Sequence, residues 1–302
     1  MDSRAAAGSK VDLPSQGILY GEAFRSGQVI VAPMSTREEK MLASGQSQGL
    51  VDMLIERCVF TDTGAPLPMG ANDFLVGDRL FLMMAVRAVS FGQDYTFQMK
   101  CDCGQEFQHT TKIPDDLATV FLDDDFREPF EVELPYTART KGIDRPVKLS
   151  LRLLRGSDEK AITKFAEGQY EKVDVMSEGD PAYTYRMLRH IVSMEIPKQA
   201  TEENPAPEPE RLYNPDFYRP VEGEEEMRPV QKRKIIARMT EAYENLLARD
   251  TQLVRDALSD NDCGVNTEIQ YACPKCKQSS KTLLPMKIEF FRPGGNRGIR
   301  YL

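Results

Sequence analysis

Two short cysteine turns lie far apart in the chain and constrain its fold more than any other feature. The first is C-D-C-G, which starts at Cys101, and the second is C-P-K-C, which starts at Cys273. Alternating polar and apolar residues flank both turns, a pattern typical of β-strands. The sequence therefore predicts two β-hairpins, each with a pair of cysteines at its tip.

Zinc prefers four soft ligands in a tetrahedron, and thiolates on two tight turns supply them. The glycine after the first pair, Gly104, allows the backbone to turn so that its amides face the sulfurs. We predict one structural zinc ion with four ligands, Cys101, Cys103, Cys273 and Cys276. Free thiols and a disulfide-linked site are the alternatives, and the first of them is the more favoured of the two.

The remaining candidate ligands are weaker. His109 follows the first turn along the predicted strand and is a less favoured substitute ligand. Cys58 and Cys263 are expected to be small buried residues, and His190 is expected on the surface or half-buried side of a helix. The residues from Met1 to Gly17 contain no apolar segment of a secretory signal, so we expect a reducing cytosol, where metal binding is favoured over disulfides.

A shared metal would join the N-terminal and C-terminal thirds of the chain and leave residues 114–262 as an insertion. The sequence predicts an α+β fold with a β-rich, zinc-ribbon-like platform formed by the two thirds, helices, an inserted helical region and extended arms. The apolar segment from Asp78 to Ser90 is expected to be a buried central helix. We predict six regions: an extended N-terminal arm (1–34), helices with the first cysteine turn (35–113), an inserted strand pair with helices (114–196), an acidic arm (197–230), helices with the second turn packing on the first (231–293) and a flexible tail (294–302).

The acidic arm is rich in proline and carboxylates and poor in aliphatic residues, so it cannot fold alone. We predict that its aromatic residues bind partner proteins, because aromatic anchors are typical of interfaces. These residues are Tyr213, Phe217 and Tyr218.

No motif of a common hydrolase, protease or nucleotide-binding site is present. Asp123, Asp124 and Asp125 could bind a divalent ion, but consecutive acids in a loop are more often solvated. The net charge of −8 argues against nucleic-acid binding. The longest apolar run, from Leu80 to Val86, is too short to span a membrane. The chain is therefore predicted not to be an enzyme or a membrane protein.

Four segments occur in an order that resembles a known family: LPSQGILYG, VAPMSTREEKMLAS, DFLVGDRLFLMMAVRAVSFGQDYTFQMKCDCG and GVNTEIQYACPKCKQSSKTLLPMKIEFFRP. Together they resemble the baseplate hub proteins of contractile-tailed, T-even-type bacteriophages. The resemblance covers residues 13–135 and 240–293 and does not include the acidic arm. It implies a non-enzymatic virion component or assembly factor of the tail baseplate, which works among other baseplate and hub proteins.

This resemblance also implies a location in the host cytoplasm during assembly and in the virion tail baseplate. Two alternatives stay open on the sequence. One is a cytosolic zinc-ribbon protein that binds nucleic acid or a polymerase through the basic patch from Gln231 to Arg238, and the other is a divalent-metal hydrolase that uses Asp123 to Asp125.

Overall fold

The chain divides into two compact units, and the second is inserted in the sequence of the first. Unit 1 comprises Met1–Asp124 and Cys263–Leu302, and unit 2 comprises Asp125–Asp262. The structure, a computed structural model, describes residues 3–43, 49–170, 179–180, 182–218, 227–286 and 288–291. Helices and strands are numbered in chain order.

Unit 1 is built from small antiparallel sheets around a few helices. Its helices are α1 Thr36–Ala43, α2 Leu50–Cys58 and α3 Val76–Phe91. Its strands are β1 Ser9–Asp12, β2 Gln28–Val31, β3 Val59–Thr61, β4 Asp94–Lys100, β5 Glu106–Lys112, β6 Thr119–Val120, β11 Gly264–Val265, β12 Glu268–Ala272 and β13 Ser279–Leu283. These strands form the three-stranded sheet β1-β2-β3 and the two-stranded sheets β4-β5, β6-β11 and β12-β13.

The predicted central helix is confirmed as α3, which has apolar residues on nearly every side and lies in the main core of unit 1. Its two arginines are buried in different ways. Arg79 forms an ion pair of 2.8 Å with Asp52, whereas Arg87 donates to main-chain carbonyls of Gly92, Asp94 and Phe290. Buried charges need such partners because an unpaired one is costly. These bonds fix the start of β4 and the segment around Phe290 against α3.

Unit 2 is a four-stranded antiparallel sheet covered by helices. Its sheet has the order β10-β9-β8-β7, with β7 Phe130–Leu134, β8 Val147–Leu151, β9 Ile191–Ile196 and β10 Glu210–Tyr213. Its helices are α4 Pro135–Thr140, α5 Gly156–Tyr170, α6 Ala182–Leu188, α7 Pro229–Glu244 and α8 Ala248–Asp260. Leu149 and Ile191 of the sheet and Met239 and Val254 of the helices form its core, each fully buried.

The mixed composition of helices and strands confirms the α+β fold class. The structure differs from the predicted extended arm over residues 1–34, because this stretch carries enough apolar side chains to join the core. Leu13 and Phe24 are fully buried, and β1 and β2 form two of the three strands of a sheet. The backbone N–H of Ser15 also donates to Asp78 of α3 at 2.9 Å.

A second difference concerns the inserted region 114–196, for which the sequence predicts one strand pair with helices. Its last helix, α6, is followed by a further strand. The helix ends at Leu188, and the following Ile-Val-Ser-Met-Glu-Ile stretch forms β9 between β8 and β10. Helical periodicity and buried-strand periodicity are hard to separate in a short apolar run. Here the segment is a strand because it pairs with β8 on one side and β10 on the other.

A third difference concerns the acidic arm, residues 197–230. Residues 210–213 are not an isolated arm but the edge strand β10, paired with β9 from Glu210↔Ile196 to Tyr213↔Ser193. Residues 219–226 of the predicted arm and residues 294–302 of the predicted tail lie outside the described residues.

The division into units also places two predicted boundaries differently. Residues 114–124 belong to unit 1 rather than to the insertion, and the predicted region 231–293 is split. Its helices α7 and α8 lie in unit 2, whereas its cysteine turn lies in unit 1. No helix in the described ranges combines the length and apolar character that crossing a membrane would require.

Candidate metal centre

The first cysteine turn is the tip of the β4-β5 hairpin. The last ladder pair is Lys100↔Glu106, and the N–H of Cys101 donates to the carbonyl of Gln105 at 2.9 Å. The N–H of Gly104 donates to the carbonyl of Cys101 at 2.8 Å. Gly104 has φ of +82°, a left-handed conformation that glycine adopts without steric cost.

The second turn repeats this design at the tip of the β12-β13 hairpin. The ladder closes at Ala272↔Ser279, and the N–H of Cys273 donates to the carbonyl of Gln278 at 3.0 Å. Lys277 takes the place that glycine has in the first turn. Its N–H donates to the carbonyl of Cys273 at 3.0 Å, and its φ is +61°.

Aromatic side chains join the two hairpins behind their tips. The ring of Tyr271 on β12 lies 5.9 Å from that of Phe107 and 6.4 Å from that of His109, both on β5. Ring separations in this range are typical of favourable aromatic pairs. The hairpins are therefore held side by side, and their tips meet.

The four predicted ligands converge into one cluster. Their sulfur atoms all lie within 4.8 Å of one another. Two of the contacts cross from one turn to the other, at 3.7 Å for Cys101 with Cys276 and 3.7 Å for Cys103 with Cys273. Four sulfurs at about 2.3 Å from a central zinc would form a tetrahedron with edges of about 3.8 Å. The donor set and its spacing therefore fit a metal ion, and the four cysteines can hold one.

Backbone amides face the sulfurs, as the turns require. The N–H of Cys276, followed by that of Lys275, lowers the pKa of the Cys273 thiol to about 6. The N–H of Cys103 also acts to lower the pKa of Cys101, but burial and the three neighbouring thiols raise it to about 12. Thiolate is the form of cysteine that binds metals, so these amides favour the metal-binding form of the turns.

The other cysteines and both histidines lie outside the cluster, as expected. Cys58 and Cys263 are buried, and burial raises the pKa of Cys58 to about 11. His109 packs its ring against Phe97 and Tyr271. His190 is half-buried at a turn after α6, where its Nδ1 lies 2.9 Å from the carbonyl oxygen of Arg152, and burial lowers its pKa.

The predicted partner-binding aromatics have different surroundings within unit 2. Tyr213 on β10 is 46% exposed, and its ring lies 5.7 Å from that of Tyr218. Phe217 lies between two guanidinium groups, at 4.3 Å from Arg152 and 4.8 Å from Arg189. Cation–π contacts of this kind stabilise by about 0.5–2 kcal/mol. Phe217 therefore anchors the segment after β10 to its own unit, while Tyr213 stays open.

Asp158, at the start of α5, holds the two arginines beside Phe217 in place, and the sequence patterns did not identify it. It is fully buried and accepts bonds from the side chain of Arg152 at 2.8 Å, the N–H of Arg155 at 2.9 Å and Nε of Arg189 at 2.9 Å. Burial alone would raise its pKa, but the bonds from Arg152, the Arg155 N–H and Arg189 lower it overall. Asp158 follows Ser157 in a helix-start pattern, which is the one sequence signal for a capping role.

The acidic triplet Asp123 to Asp125 is exposed. Over the described part of the chain, the cysteine cluster is the one group of three or more His, Cys, Asp or Glu residues that could hold a metal. The triplet therefore has the surroundings of a solvated loop.

A model of one protein family matches the chain over residues 10–174, just over half of its length, and its description is "T4 bacteriophage base plate protein". The matched range includes the first cysteine turn and ends before the second. No curated protein and no solved structure matches the chain.

Proposed function

Because this chain belongs to the T4 bacteriophage base plate protein family, we propose that it is a structural subunit of the hub region of a contractile-tail baseplate. Membership of the family makes it a component of the phage tail that assembles with other tail proteins. The family match over residues 10–174 is the observation that carries the proposal. The proposal includes three more specific points. They are a position in the hub, contact with neighbouring hub proteins and a location in the host cytoplasm during assembly.

The proposed role is non-enzymatic and depends on protein–protein contacts. A metal held by four protein sulfurs has no open position for a reacting water, so such a site is architectural. Exposed aromatic and apolar side chains on the surface of each unit, such as Tyr213 in unit 2 and Phe121 in unit 1, support contact as the mode of action.

The metal in this proposal is zinc. Four cysteine sulfurs with cross-turn contacts of 3.7 Å suit its preference for soft ligands in a tetrahedron. When bound, zinc would clasp the two hairpins of unit 1, and the N–H groups of Cys103, Lys275 and Cys276 would stabilise the thiolates. One ion would then join Cys101 to Cys276 and Cys103 to Cys273, which are 175 and 170 residues apart in the sequence.

Mass spectrometry of purified phage particles, and of baseplates separated from tail tubes and sheaths, tests the hub proposal. We expect the chain in the baseplate fraction at a fixed ratio to the other baseplate proteins. Its absence from both baseplates and assembly intermediates would contradict the proposal.

Elemental analysis tests the zinc clasp. The freshly purified protein should contain about one zinc per chain, and the double variant Cys103→Ser, Cys276→Ser should contain almost none. Cys58→Ala is the matched control, because Cys58 is a buried cysteine outside the cluster. A different metal, or equal zinc in all three proteins, would refute the assignment.

A further inference from the structure

The strand β10 forms one edge of the sheet of unit 2. It pairs with β9 on one side only, whereas β7, the strand at the other edge, contacts α8. The N–H of Asn214 donates to the carbonyl of Val192 at 2.9 Å, which continues the β9-β10 register. Bonded pairs alternate along an antiparallel ladder, so Leu212 directs its N–H and C=O groups to β9, whereas Arg211 and Tyr213 direct theirs away from the sheet.

The outward backbone groups of this edge are open to a further strand. Among the residues that the structure describes, no backbone hydrogen bond reaches the N–H or C=O of Arg211 or Tyr213. Both side chains are exposed, 58% for Arg211 and 46% for Tyr213. Pro209, which has no N–H, precedes the strand, and a turn that starts at Pro215 follows it. The open edge is therefore limited to two residues, and such an edge is a template for an added strand.

On the basis of the contact role proposed for Tyr213, we propose that β10 pairs with β10 of a second copy of the chain, antiparallel and about a two-fold axis at Leu212. In this register, Arg211 of each copy lies opposite the partner's Tyr213, and the two residues exchange their N–H and C=O bonds. Leu212 lies opposite the partner's Leu212. The two four-stranded sheets would thus join into one continuous sheet.

The side chains of this edge are complementary to those of a second copy. Arg211 and Tyr213 lie on the same face of the sheet, because alternate residues of a strand share a face. Side chains directly opposite each other in an antiparallel pair have Cβ atoms about 5 Å apart, so each guanidinium group would face a tyrosine ring. Arginine favours such cation–π contacts. A two-fold axis forms the contact twice, whereas an unrelated strand would need both a cation and an aromatic residue at this spacing.

The charges of β10 do not oppose this pairing. Arg211 forms an ion pair of 3.3 Å with Glu195 of β9, and Glu210 forms one of 2.7 Å with Arg238 of α7. Both charged side chains of the strand are therefore neutralised within their own unit. Two copies can approach along β10 without uncompensated like charges at the contact, although the whole chain carries a net charge of −8.

Sedimentation equilibrium of the purified, intact chain tests the proposal. We expect a monomer–dimer equilibrium with a Kd below about 100 µM, and a monomer at every concentration up to that value would overturn the proposal. Tyr213→Lys places a cation opposite the partner's Arg211 at both contacts, so the Kd should rise at least about tenfold. Val230→Lys makes the same charge change at a side chain of α7 that is 62% exposed, and it should leave the Kd unchanged. Equal effects of the two substitutions would also overturn the proposal.

Disulfide cross-linking tests the register. An equal mixture of Arg211→Cys and Tyr213→Cys chains should form a disulfide between positions 211 and 213 of two copies under mild oxidation, because bonded pairs have Cα atoms about 5.5 Å apart. Either variant alone should form far less, since identical positions lie diagonally across the axis. Peptide mass analysis distinguishes this link from links of the native cysteines. Equal yields with and without mixing, or a dimer that lacks the link, would refute the proposal. Both measurements use the purified chain alone, so their failure would leave the baseplate role to be decided by the mass spectrometry of phage particles.

Discussion

Two residues at equivalent turn positions, Gly104 and Lys277, show how differently the two cysteine turns satisfy the same backbone geometry. Both have positive φ, +82° and +61°, and both close a turn by donating to the carbonyl of its first cysteine. Glycine adopts this conformation freely, whereas a residue with a Cβ atom is strained there by about 1–2 kcal/mol. The second turn therefore already carries a strain that the first turn avoids.

This difference gives a matched pair of alanine substitutions. Gly104→Ala should destabilise the protein by about 1–2 kcal/mol, because it introduces a left-handed alanine although the surrounding space is open. Lys277→Ala should change stability by less than about 0.5 kcal/mol, because lysine already adopts this conformation. Urea unfolding followed by circular dichroism measures both, and equal effects of the two substitutions would contradict the argument.

The buried carboxyl group of Asp158 makes the stability of unit 2 depend on pH. Its bonds to Arg152, the Arg155 N–H and Arg189 outweigh the effect of burial and lower its pKa in the folded protein. A carboxyl with a lowered folded pKa contributes stability that is fully present above its unfolded pKa of about 3.9 and is lost as pH falls through its folded pKa.

We therefore expect the melting temperature of unit 2 to fall as pH drops below about 4. Asp158→Asn should cost about 3 kcal/mol at neutral pH, because it leaves the buried arginines without their counter-charge, and should flatten the acid dependence. Calorimetry from pH 7 to pH 3 gives the comparison. The argument fails if the variant and the unmodified chain lose stability in parallel over that range.

At the scale of elements, residues 214–218, which follow β10 and are called the strap below, are bound to their own unit and do not form a free arm. Strand β10 pairs with β9, and the buried side chain of Asn214 donates to the carbonyls of Leu188 and Ile191, both at 2.9 Å. Phe217 then packs between Arg152 and Arg189. Residues that belong to this strap hold unit 2 together, and only its exposed side chains remain open to partners.

Replacement of Tyr213 and replacement of Phe217 by alanine should therefore affect stability and assembly differently. Phe217→Ala should lower the stability of unit 2 by about 1–3 kcal/mol through lost packing and cation–π contacts, and impair assembly through that loss. Tyr213→Ala should leave stability nearly unchanged, because the ring is 46% exposed, and should still weaken assembly.

Thermal melting and in vitro incorporation into baseplates measure the two effects. Replacement of Asp123, Asp124 and Asp125 by Asn is the control and should affect neither quantity. Normal assembly of the Tyr213→Ala variant, or loss of assembly in the Asn triple variant, would show that the contact surface has been misassigned.

At the scale of the whole molecule, the cysteine cluster belongs to unit 1 alone. Both hairpins lie in that unit, on either side of the inserted unit 2 in the sequence. Bringing together residues so far apart in the chain has an entropic cost, which metal binding can offset. Unit 2 has its own core and contains none of the four cysteines.

Removal of the proposed zinc ion should therefore have a local effect. Addition of a strong zinc chelator should increase amide exchange in β4, β5, β12 and β13 by about tenfold or more, while exchange in the sheet of unit 2 stays unchanged. The Cys103→Ser, Cys276→Ser variant should reproduce this pattern without the chelator. Unchanged exchange in the hairpins of unit 1 would show that the clasp does not contribute to their stability.

The sequence by itself determined features that depend on neighbouring residues. Strand alternation and cysteine spacing predicted both hairpins, and the apolar composition of Asp78 to Ser90 predicted the buried helix α3. The four candidate ligands were predicted from thiolate chemistry, since nothing else in the chain offers so many soft donors on tight turns.

Only the tertiary structure decided which distant segments pair. The burial of Leu13 and Phe24, the strand β9 after α6 and the bonds of Asp158 to Arg152 and Arg189 all depend on residues remote in sequence. Local periodicity is nearly equal for a short helix and a buried strand, so the neighbouring strands select between them. The same holds for Phe217, whose place between two arginines follows from the packing of unit 2 and not from its own sequence context.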